Sequence, residues 1–126
     1  MRIFISLIVF AFLLLPGKVC HAQTQEIVFN SVSPPEGSYY GLVGGITQDP
    51  KGYMWVASTG SGLFRYDGDQ MTNYKNDPAN PKSLANNWVE CIYADSAGII
   101  WLGTWGNGLD RFDPATGVFT HYRHDP

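Results

Sequence analysis

The feature that most constrains this chain is that it matches itself. Asp49-Pro50-Lys51-Gly52-Tyr53-Met54-Trp55 aligns with Asp95-Ser96-Ala97-Gly98-Ile99-Ile100-Trp101 at an offset of 46 residues. In the same register Gly60-Ser61-Gly62-Leu63-Phe64-Arg65-Tyr66-Asp67 falls on Gly106-Asn107-Gly108-Leu109-Asp110-Arg111-Phe112-Asp113. After two extra residues, Asn76-Asp77-Pro78 falls on His124-Asp125-Pro126 at an offset of 48. A period in the middle forties, punctuated by glycine and aromatic residues, is that of four-stranded propeller blades. The expected fold class is therefore all-β: two four-stranded antiparallel blades of an incomplete β-propeller, near residues 46–75 and 92–123, packed face to face. Trp55 and Trp101 are expected at equivalent positions.

Each piece of the second unit has the chemistry of its assigned element. Val89 to Ala94 alternates around Cys91, Ile92 and Tyr93, and Asp95-Ser96-Ala97-Gly98 supplies an acceptor side chain followed by a glycine, which makes a hairpin turn. Ile99 to Thr104 is apolar on both faces, as a strand squeezed between neighbouring sheets would be. Gly106 and Gly108 turn the chain into Leu109 to Asp113, and Ala115-Thr116-Gly117 turns it again into Val118 to Arg123, a mixed strand suited to the half-solvated outer edge. The linkers Asp77-Pro78-Ala79-Asn80-Pro81 and His124-Asp125-Pro126 would interrupt a helix or central strand.

The first residues speak to compartment. Arg2 precedes Ile3 to Leu15, a run in which only Ser6 is polar, and Cys20-His21-Ala22 before Gln23 puts small residues where a signal peptidase accepts them. The run is too short to span a bilayer comfortably. Residues 1–22 therefore read as a cleaved secretory signal and the rest as an exported, periplasmic chain. Losing Arg2 and Lys18 from a chain of eight basic and 11 acidic side chains leaves a net charge of about −5, which repels phosphate backbones and argues against a nucleic-acid partner. Cys91 alone remains, so no internal disulfide forms, and with His121 and His124 on what reads as an exposed outer strand there is no zinc ligand set of the usual size. No metal or cofactor is expected. The domain division is a signal peptide at 1–22, an N-terminal segment at 23–45, the first blade at 46–78, and a linker with the second blade at 79–126. Within 23–45, Ile27-Val28-Phe29-Asn30 has the position of a strand that closes a ring by joining the last blade.

Ser83-Leu84-Ala85-Asn86-Asn87-Trp88-Val89, Ile92 through Asp113, and Phe119-Thr120-His121-Tyr122 together closely resemble the two-component regulator propeller repeat, and Tyr66-Asp67-Gly68 looks like its opening blade. The resemblance covers roughly residues 27–126. It implies the periplasmic sensor region of a histidine kinase, often a hybrid one responding to glycans, with the kinase domains in a longer parent that also supplies the remaining blades. The implied partners are those blades and signalling domains and an oligosaccharide ligand. Two other classes compete: a fragment of a secreted propeller glycoside hydrolase or lyase, and a scaffold or adhesion propeller. A hydrolase would need acidic residues facing each other across a cleft.

Most conspicuous residues have a structural explanation. Asp49-x-x-Gly52-x-x-Trp55 is similar to the aspartate box of sialidase-type propellers, with spacing that differs by one residue, and such boxes are structural. Arg65 and Arg111 repeat in register and read as structural side chains of the third strand. Asp67-Gly68-Asp69 lacks the rest of a calcium loop and reads as a turn. Gly60-x-Gly62 and Gly106-x-Gly108 precede strands rather than helices, so they read as turns and not as phosphate cradles. One position breaks the repeat in kind: Thr59 becomes Trp105, beside Asn107, on the rim where the linker through Trp88 enters the blade. Aromatic faces flanked by amides suit sugar rings, so the candidate ligand-binding residues are Trp105, Asn107 and Trp88. No catalytic residues are assigned. Two blades alone would leave an apolar face open at each end, which favours self-association.

Overall fold

A computed structural model describes residues 27–124 of the chain. Eight strands follow one another: β1 (Leu42–Gln48), β2 (Met54–Thr59), β3 (Gly62–Tyr66), β4 (Met71–Tyr74), β5 (Val89–Ala94), β6 (Ile100–Thr104), β7 (Gly108–Asp113) and β8 (Val118–Tyr122). They form two four-stranded meanders, β1-β2-β3-β4 and β5-β6-β7-β8, antiparallel throughout. This is the blade pair that the 46-residue repeat predicts, with no helix among the described residues. The signal-peptide assignment at 1–22 lies outside the described residues.

Three details differ from the sequence reading. The first blade begins at Leu42, four residues before the predicted boundary, because Gly44 and Gly45 hide β1 from any side-chain pattern. Ile27 to Asn30, read as a ring-closing strand, forms no strand and is exposed, with no partner strand among the described residues. His121 lies on the outer strand as expected but is only 20% exposed, held by Asp110 and by the linker carbonyl of Pro81.

The hairpin that opens each blade is built by one aspartate. Asp49 accepts the backbone N–H groups of Lys51 (2.9 Å) and Tyr53 (3.1 Å) on Oδ1 and the Trp55 indole N–H on Oδ2 (2.9 Å). Asp95 does the same for Ala97 (3.0 Å), Ile99 (2.9 Å) and Trp101 (3.0 Å). Trp55 and Trp101 thus occupy equivalent places, each opposite an arginine of the third strand, Arg65 or Arg111. Arg65 stacks 5.0 Å from the centroid of the Tyr53 ring, which fits the structural role read from the repeat. At the other end of each blade, Gly62 (φ 83°) and Gly108 (φ 81°) start the third strand in a conformation that L side chains rarely adopt. A Cβ there would also strike the carbonyl of Tyr74 or Tyr122 on the outer strand.

The core lies between the blades. Trp55, Ala57, Leu63 and Tyr74 project from the first blade onto Ile100, Leu102, Phe112 and Phe119 of the second, with Leu84 of the linker closing the edge. The aromatic rings contact edge to face and by stacking: Trp55 to Phe112 at 5.7 Å, Tyr74 to Phe112 at 4.9 Å, and Phe112 to Phe119 at 4.2 Å between centroids. In β7 the inward face is Asp110 and Phe112, both fully buried, while Leu109 points out at 40% exposure. The innermost strands β1 and β5 carry a bulge at the same repeat position, between Val43 and Gly45 and between Val89 and Cys91.

Asp110 is the polar residue that ties the linker down. Its Oδ2 accepts the Ala85 N–H at 2.8 Å and its Oδ1 lies 2.7 Å from His121 Nδ1, while His121 Nε2 lies 3.1 Å from the Pro81 carbonyl. The linker also folds back on itself. The backbone N–H of Asn76 donates to Asn87 Oδ1 at 2.7 Å, and Asn76 Nδ2 donates to the Leu84 carbonyl at 2.7 Å.

Candidate functional site

The linker that Asp110 and Asn76 hold in place delivers its last residues to one rim of the blade pair. There Asn87 places a single carbonyl under the β2–β3 turn, where it accepts the N–H groups of Gly60 (3.0 Å) and Gly62 (2.8 Å). Trp88 bridges to Thr59 of the first blade. Its own carbonyl accepts the Trp105 N–H at 2.9 Å, so the β6–β7 turn sits directly beside the linker.

Asn86 sets the geometry of this rim. Its Oδ1 accepts the Trp88 N–H at 3.0 Å, and its Nδ2 donates to the Trp105 carbonyl at 3.0 Å and to Asn107 Oδ1 at 2.9 Å. One amide therefore fixes the backbone of both tryptophans and the side chain of Asn107. The indoles themselves stay open to solvent, Trp88 at 51% and Trp105 at 61% exposure. All three residues predicted for ligand binding are brought together by the fold.

The structure adds Tyr39, which the sequence reading missed. A Cβ built on Gly60 would lie 3.9 Å from both the Tyr39 hydroxyl and Trp88 Nε1, so a third exposed aromatic borders the same turn. Tyr39 precedes β1 outside the repeated motif, and no periodic signal marks it. The rim thus offers aromatic surface with amide and hydroxyl groups between, and it carries no charged side chain among the residues named. Such a surface can stack on the C–H face of a neutral ring and hydrogen-bond its hydroxyls.

The opposite rim is different in kind. There the hairpin turns leave a cleft of about 230 Å³ bordered by Lys51, Arg65, Gly98 and Asp113. Hydrogen bonding from the Trp101 indole, then from the Ile99 N–H, lowers the Asp95 carboxyl below its ordinary value, and the N–H groups of Gln70 and Asp69 lower Asp67 in the same way. Both carboxylates are consumed by turns, as the reading of Asp67-Gly68-Asp69 predicts.

The fold and the repeat together define a propeller segment. Residues 83–106 match the family model of the two component regulator propeller. A histidine kinase of Formosa agariphila is 37% identical over 80 residues, which are 64% of this chain and 6% of that protein. Among solved structures, the extracellular domain of a putative hybrid two component system from B. thetaiotaomicron superimposes with a TM-score of 0.60 at 28% identity, covering 79% of this chain and 13% of the other. The chain therefore spans only a small part of either relative.

Proposed function

We propose that this chain is part of a periplasmic sensor propeller of a two-component system, and that its rim binds a neutral oligosaccharide. The observation that supports the ligand class is the pairing of Trp88 and Trp105 across one backbone hydrogen bond, with Asn86 and Asn107 between them. Asn86 is a positioning residue, because its amide is used within the rim. Asn107 has its Oδ1 engaged by Asn86, so it would offer its amide nitrogen to a sugar hydroxyl, while the two indoles supply the stacking faces. In the parent protein the output would be phosphorelay signalling through kinase domains beyond the blades. The reading includes export with removal of residues 1–22, which N-terminal sequencing of the secreted chain tests directly.

Indole fluorescence reports on this site, since two of the four tryptophans lie on the rim. Titration with a panel of neutral oligosaccharides is expected to give a saturable change that Trp105→Ala weakens about tenfold or more. Saturable binding that is unchanged in Trp105→Ala, Trp88→Ala and Asn107→Ala would move the ligand away from this rim. No binding by the chain or by a longer ectodomain would remove the carbohydrate assignment.

A further inference from the structure

Two places in the repeat change from non-titratable in the first blade to titratable in the second. Phe64 and Asn73, opposite each other on β3 and β4, become Asp110 and His121, opposite each other on β7 and β8. The bonds that the second pair makes all lie within residues 81–121, so its setting belongs to the second blade and its linker.

Those bonds fix the proton count of the pair. The Pro81 carbonyl can only accept, so His121 Nε2, 3.1 Å away, carries a proton. His121 Nδ1 lies 2.7 Å from Asp110 Oδ1, and one proton sits between them, on either the ring or the carboxyl. Asp110 Oδ2 accepts the Ala85 N–H at 2.8 Å and adds none. The pair therefore holds one proton more than a neutral imidazole beside a carboxylate. When that proton leaves, the ring keeps a single N–H, and the carboxylate is the stronger acceptor for it. Nε2 is then bare and turns its lone pair on the lone pairs of the Pro81 carbonyl. Asp110 is fully buried whereas His121 is 20% exposed, so the proton reaches water through the ring. The charged and titratable groups on the surrounding elements are Tyr74 on β4, Asp77 and Lys82 on the linker, Asp110 on β7, and Arg123 and His124 after β8. Among the described residues, Asp110 is the one that pairs with the ring.

We infer that Asp110 and His121 form a proton-dependent latch on the linker that regulates the aromatic rim, closed at low pH and released at Pro81 as pH rises. The stretch between latch and rim is short. The Phe119 N–H donates to the Lys82 carbonyl at 2.9 Å, Asp110 holds Ala85, and the next residue is Asn86, whose amide sets both rim tryptophans and Asn107. Protonation thus pre-organises the backbone of the rim, and deprotonation loosens it and weakens what the rim binds. The effect on a sugar rests on the carbohydrate reading above, whereas the latch itself does not.

Long-range proton–nitrogen correlation spectra of the isotope-labelled full chain, recorded from about pH 5 to about pH 9, test the latch without any variant. Both His121 ring nitrogens are expected to carry protons at the low end, and Nε2 alone to lose its proton as pH rises. The backbone amides of Lys82 and Ser83 and the indole signals of Trp88 and Trp105 should move with the same midpoint. His121→Asn, which installs the residue that the first blade has in this place, should fold and abolish that movement, and His124→Asn should leave it unchanged. A neutral oligosaccharide should bind the wild type about threefold or more weakly at the high end than at the low end, and His121→Asn equally at both. Spectra that titrate as described while no sugar binds at either end support the latch and sink the carbohydrate reading. The inference is overturned by an Nε2 that stays protonated throughout, by linker amides that do not follow the ring, or by shifts that persist in His121→Asn. Sugar affinity in the wild type that is the same at both ends overturns it too.

Discussion

The aspartates of the two blades show what single residues do here. Asp49 is 6% exposed and holds three donors, so Asp49→Ala strands the Trp55 indole and two N–H groups and should cost about 1–3 kcal/mol in a urea unfolding experiment. Asp95, its repeat partner, is lowered in the folded state, so the folded chain takes up that proton less readily than the unfolded chain. The stability it contributes is complete above the ordinary aspartate range and is lost as pH falls through the lowered value. Asp95→Asn should therefore lower the melting temperature at pH 7, with the gap to wild type narrowing as pH drops below that range. These two aspartates were legible in the sequence as turn residues because their partners lie within six positions. Asp110 was not. It reads as a polar residue on a mixed strand, and its burial depends on Ala85, 25 positions earlier, reaching it through a folded-back linker. The equivalent place in the first blade holds Phe64, so the repeat itself gives no hint of a charge.

At the scale of elements, strand order and the strands of the second blade were readable because side-chain alternation and turn glycines survive in a single sequence. β1 was blurred at its start for the opposite reason, since a glycine pair has no side chains to alternate. The cause of those glycines is long-range. A Cβ on Gly44 would lie 2.6 Å from the Glu90 carbonyl oxygen and 2.7 Å from that of Val89, so the two innermost strands touch backbone to backbone at their bulges. Gly44→Ala should push them apart and destabilise the chain by about 1–3 kcal/mol, measured by urea unfolding. Glu90→Ala, at the same repeat position of the exposed strand, should change stability by no more than about 0.5 kcal/mol. The linker was foreseen only as an interruption, because its asparagine and proline content forbids regular structure without saying where the chain goes. Asn87→Ala removes the acceptor for the Asn76 N–H and should cost about 1 kcal/mol.

For the molecule as a whole, the repeat made the architecture legible and even the rim cluster, since a linker and a β6–β7 turn in one blade must meet at one end. Tyr39 escaped because it joins the rim from outside the repeat. The seam between the blades is asymmetric from end to end. At the aromatic rim it is fastened by the Asn87 carbonyl and the Thr59 to Trp88 bridge, whereas at the other rim it opens into the cleft beside Lys51 and Asp113. Backbone hydrogen bonds thus close the seam at one rim and the aromatic core fills its middle, so water reaches it first from the other rim.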